Sequence, residues 1–148
     1  MVTSTQTAGL LTPQQLRKLA QETAISEQQK AAAEAKKAEE DKEAVRKAFM
    51  DREIRPDAME YLMVAVKRHA EQGKHEFLVF QFPAELLSDG GRRVNNFEPD
   101  WPDSLQGFSK RAYDYYQEHL KPAGYHLRAQ VLEYPRGNLG DVGLYLCW

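Results

Sequence analysis

Residues 88–96 read SDGGRRVNN and bring together groups that can hold an anion. Adjacent Gly90 and Gly91 allow successive backbone N–H groups to converge on one point, as in the concavities that accept phosphate or carboxylate. Arg92 and Arg93 can each add a planar, two-pronged contact, and Asn96 stands close by to orient the same group. Downstream, Trp101 lies between Pro99 and Pro102, and Tyr113 opens the run Tyr113-Asp114-Tyr115-Tyr116. Either ring would form an apolar wall beside a bound anion. Arg92, Arg93, Asn96, Trp101 and Tyr113 are therefore the candidate ligand- or anion-binding residues. A plainer reading stands beside this one. Gly90 ends a short helix, Gly91 reverses the chain, and the arginines pair with Asp89, Glu98 or Asp100.

Other chemistries leave weaker traces. The four histidines show no HxH or HxxxH spacing, and the single cysteine, Cys147, cannot form a CxxC pair, so no metal site is assigned. His75 and His126 would become neighbours only if their strands paired directly. Cys147 lies in an apolar strand pattern, where a structural thiol is expected rather than a nucleophile. Asp100 and Asp103 suit the start of the following helix, where negative charge is favourable. No GxSxG elbow, P-loop or dinucleotide fingerprint occurs. No catalytic residue and no cofactor are assigned, and the protein reads as a non-enzyme.

The elements that position these residues fall into two regions. Thr12-Pro13-Gln14-Gln15 is a helix start, with Thr12 as cap and proline at the first helical position. Residues 31–44, AAAEAKKAEEDKEA, are nearly all strong helix formers, but no large apolar residue occurs between Ile25 and Val45. Ala24, Gln28, Ala31, Ala35, Ala38, Lys42, Val45 and Phe49 alternate at four and three residues, the spacing of a coiled-coil seam. Alanine offers little area to bury, so a partner would be held weakly there. Residues 1–54 are expected to form a helical arm whose first dozen residues are poorly ordered.

Residues 55–148 are expected to form a compact α+β domain. Arg55-Pro56 breaks the first helix. Met59, Leu62, Met63, Val66 and Ala70 then mark one face of a second, stopped by Gly73. Phe77 to Phe82 is apolar at alternate and intervening positions, which predicts a strand interior to a sheet covered on both faces. A third helix over roughly 103–121 would bury Leu105, Phe108, Ala112, Tyr115, Tyr116 and Leu120. A closing hairpin follows, with Tyr125, Leu127, Ala129 and Val131 inward and Pro135-Arg136-Gly137-Asn138 at the turn. The whole is an α+β fold. A long helical extension precedes α-β-α-β-β order, with a mostly antiparallel sheet of about three strands.

Composition sets outer limits. Twenty-two acidic against twenty basic residues give a net charge of −2. Neither half of the chain, divided after Gly73, carries the positive excess of a nucleic-acid-coating protein. No apolar run approaches the length of a membrane span, residues 1–15 lack the pattern of a secretory signal, and one cysteine fits a reducing cytoplasm. The expected function is that of a non-enzymatic interaction or assembly protein. It would self-associate as a homo-oligomer, or bind a protein partner, through the helical arm and the sheet. The alternative is a small-molecule or anion-binding domain, enzymatic or not, with its site on the 88–103 loop.

Overall fold

A computed structural model describes residues 9–148. The expectation of poor order at the start of the chain falls, for residues 1–8, outside the described residues. The chain divides into two compact units, one ending at Val45 and the other comprising Arg46–Trp148.

The first unit is almost entirely helix α1, Pro13–Asp51, whose last turns belong to the second unit. Its start is the reciprocal cap that the residue types imply. The Gln15 N–H donates to Thr12 Oγ1 at 3.2 Å, and the Thr12 N–H donates to Gln15 Oε1 at 2.9 Å. No residue of α1 is buried. Its helicity through residue 45 therefore rests on the intrinsic preference of alanine, glutamate, lysine and glutamine rather than on packing.

The second unit is an α+β fold around a three-stranded sheet. Helix α2 (Ala58–Glu71) precedes strand β1 (Glu76–Pro83). A crossover containing one helical turn, Arg92–Asn95, and helix α3 (Gly107–Tyr115) leads to β2 (His126–Val131) and β3 (Asp141–Cys147). The sheet order is β1-β3-β2, and both pairings are antiparallel.

Strand β1 is thus an edge strand, not the interior strand expected from its unbroken apolar run. A bulge explains the difference. Leu78 pairs with Tyr145 and Phe80 with Leu144, so Val79 is an extra residue opposite none. The bulge resets the alternation. Phe77, Phe80 and Phe82 share a face with Leu146, Leu144 and Val142, while Leu78 and Gln81 share the other with Tyr145 and Gly143. Only the first face is covered. Phe77, Phe82, Val142, Leu144, Leu146, Ala129 and Val131 are buried there, whereas Leu78 is 37% exposed.

Helix α3 also departs from the sequence pattern. Trp101–Ser104 is a separate 3₁₀ turn, and α3 begins only at Gly107. Its start is fixed by Gln106 and Ser109, not by Asp100 or Asp103. The Gln106 N–H donates to Ser109 Oγ at 3.2 Å, and that hydroxyl donates to the Gln106 carbonyl at 2.7 Å. Beyond Tyr115 the helix widens into a π turn, Tyr116–Leu120.

The last turn of α1 is tied into this unit by three features. Phe49 packs on Phe82 with ring centroids 5.3 Å apart. Gly107 meets Met50 so closely that a Cβ there would stand 2.7 Å from Met50 Cα. Arg111 donates to the carbonyls of Met50 (2.6 Å) and Arg52 (3.0 Å), which the helix end leaves without backbone partners.

Candidate functional site

The 88–103 segment leaves β1 and returns to α3, and its own residues satisfy one another. Asp89 occupies the position an external anion would take. Its Oδ1 accepts the Gly91 N–H at 2.9 Å and its Oδ2 accepts the Arg93 N–H at 3.0 Å. Gly91 adopts φ 95°, and a Cβ there would lie 3.1 Å from Ala84 Cβ, so glycine is needed for both conformation and space. Val94, in the turn that follows, is buried in the core. The N–H of Ser88 donates to the Ser104 carbonyl at 2.9 Å and joins the two ends of the segment.

The candidate residues are placed as follows. Arg92 Nη1 contacts both carboxylate oxygens of Glu98, at 3.1 and 3.2 Å. Arg93 lies 3.3 Å from Asp100 and 3.9 Å from Asp89. Asn96 ends the helical turn and is exposed. Trp101 and Tyr113 meet edge to face at 5.9 Å and pack on the core. The structure thus brings Trp101 to Tyr113 and sets each arginine against an acid. Nothing in the sequence pattern singles out Phe97. It is 83% exposed with φ 55°, a left-handed conformation uncommon for a bulky residue.

Asp89 carries a testable consequence. Burial pushes its carboxyl up, but the Arg93 and Gly91 N–H groups and the charges of Arg93 and Arg92 outweigh that, leaving it below the ordinary aspartate value. A depressed folded value means the carboxylate stabilises the fold fully above the unfolded value of about 4, and the contribution is lost as pH falls through the folded value. Asp89→Ala leaves two part-buried N–H groups without their acceptor and is expected to cost about 1–3 kcal/mol at neutral pH. Urea denaturation across the acid range should show the gap between native and variant closing as pH falls. A gap that persists unchanged to the lowest pH would contradict this role.

The uncovered face of the sheet holds a second cluster. Glu76 and Arg128 form an ion pair at 2.7 Å across β3, and the Arg128 guanidinium lies 4.4 Å from the Tyr145 ring centroid. The hydrogen bond from Arg128 lowers the Glu76 pKa, and the same contact raises that of Arg128. Cys147 is half-buried between them, with Sγ 3.6 Å from Glu76 Oε2. Burial first, then the hydrogen bond and the charge of Glu76, push its thiol up against the opposing pull of Arg128, away from the reactive thiolate.

No protein family, curated protein or solved structure matches the chain.

The cluster lies at alternate positions of three strands, so it was invisible without the strand order. The same order keeps His75 and His126 from facing each other across a pair, because β3 lies between β1 and β2. Among the described residues no helix is long and apolar enough to cross a membrane.

Proposed function

We propose that this is a non-enzymatic assembly protein that self-associates through α1, in a reducing cytoplasmic setting. The observation that carries this reading is a helix of 39 residues with none buried. At 100° per residue, Leu16, Ala20, Ala24, Ala31, Ala35, Ala38 and Val45 fall within one stripe about 100° wide, which also takes in Glu27 and Lys42 and, at its edges, Arg17 and Glu34. Leu16 and Val45 are 47% and 57% exposed. Small side chains along such a stripe let two helix backbones approach closely, and the flanking lysines and glutamates can pair across the contact. The dense self-pairing of the 88–103 segment supports the anion-binding alternative less well.

Sedimentation velocity of the full chain over a wide concentration range tests this. Reversible association is expected, and the double variant Ala31→Glu, Ala38→Glu should raise its dissociation constant by roughly 100-fold or more. Circular dichroism should show the helix retained, since glutamate is a good helix former. A native chain that stays monomeric at every concentration would refute self-association. Truncation as a further check should remove residues only through Val45, because Phe49 belongs to the core of the second unit.

A further inference from the structure

A cavity of about 200 Å³ lies within the second unit, between α2, α3 and the covered face of the sheet. Leu144 and Leu146 form its floor, Leu62 and Ala112 stand on facing helices, and Arg52 and Arg55 lie at its rim. It exists because small residues, Ala58 on α2 and Ala112 on α3, occupy positions where longer side chains would fill the space. The π turn that follows α3 contributes Tyr116 and Leu120, and such turns recur where a helix is reshaped around a site.

The charge around this space is one-sided. Two arginines line it, and no aspartate or glutamate does. Arg55 is already matched, with Nε 3.0 Å from Asp57 Oδ1 and Nη2 2.8 Å from Oδ2. Arg52 is not. Its guanidinium lies 4.1 Å over the Phe108 ring, and among the described residues no carboxylate reaches it within ion-pair distance. Its backbone is held by the Arg111 contact to its carbonyl, which fixes where the guanidinium starts. An apolar chamber with an unmatched cation at its mouth is complementary to a molecule with an apolar body and one anionic end.

We propose that this cavity binds a small amphipathic carboxylate, with its hydrocarbon among Leu62, Ala112, Leu144 and Leu146 and its carboxylate on Arg52. The size fits. An apolar protein cavity of about 150 Å³ takes up benzene, so this one accommodates a chain of roughly six to eight carbons or a single substituted ring. The site shares no residue with the stripe on α1, and its test does not depend on self-association.

Octanoate, 1-octanol and octylammonium share one tail and differ in head charge, which makes them the probes. NMR titration of the full chain should show saturable shifts at Ala58, Ala112 and Leu62 with octanoate. Octanol should bind at least about fivefold more weakly, and octylammonium more weakly still. Arg52→Gln should weaken octanoate about fivefold while leaving octanol unchanged. Ala112→Phe fills the chamber and should abolish both. If that variant does not fold, Ala58→Leu on the opposite helix makes the same test. Octanol binding as tightly as octanoate, or the absence of saturable shifts with octanoate, overturns the proposal. Shifts elsewhere that survive the filling variant overturn it as well.

Discussion

Gly107→Ala is expected to destabilise the protein by about 2–5 kcal/mol, although it adds one methyl group. Two costs combine. Gly107 has φ 57°, where an L side chain is strained by about 1–2 kcal/mol. The new Cβ would also stand 2.7 Å from Met50 Cα, 2.9 Å from its sulfur and 3.0 Å from the Phe49 carbonyl oxygen. Two of those three atoms are backbone, so no rotamer change relieves the contact, and overpacking adds about 1–3 kcal/mol. Gly124→Ala is the matched control. Its φ is 102° and nothing lies within 4 Å of its would-be Cβ, so it should cost only the backbone strain. Denaturation midpoints of the two variants make the comparison. Equal losses would mean that the last turn of α1 does not press on the start of α3.

The close approach at Gly107 also shows why some of this architecture was legible and some was not. Features encoded within a few residues were readable. The Thr12–Gln15 cap starts α1, Gly73 stops the chain after α2, and the acids beside Arg92 and Arg93 lie within a few positions of them. Features that depend on distant partners were not. The extra residue at Val79 turned a one-sided edge strand into an apparently two-sided run, because a bulge has no marker in apolar residues alone. The division of one expected helix at Leu105–Gln106 rests on Ser109, a residue equally at home inside a helix. The cavity was least legible. It is defined by what Ala58 and Ala112 leave empty, and by Arg52 lying over Phe108 from far along the chain.

The bulge in turn sets unequal expectations for two apolar residues of β1. Phe82→Ala should cost about 3–5 kcal/mol, the range for deleting a buried ring in a packed core. Phe82 is 3% exposed and packs on Phe49 at 5.3 Å and Phe80 at 5.7 Å, so its loss opens a void beneath the end of α1. Leu78→Ala should cost less than about 1 kcal/mol, because Leu78 is 37% exposed on the uncovered face. It pairs there with Tyr145 and leans over Gly143, where a Cβ would come within 2.7 Å of the Leu78 side chain. Leu132 closes over the same glycine, and the three form only a shallow apolar patch. Chemical denaturation at low protein concentration should therefore separate the two variants by at least about 2 kcal/mol. Comparable losses would mean that Leu78 is covered in solution. If the Leu78 loss grew with protein concentration, the cover would be a second copy of the chain, and the open face would join α1 as a self-association surface.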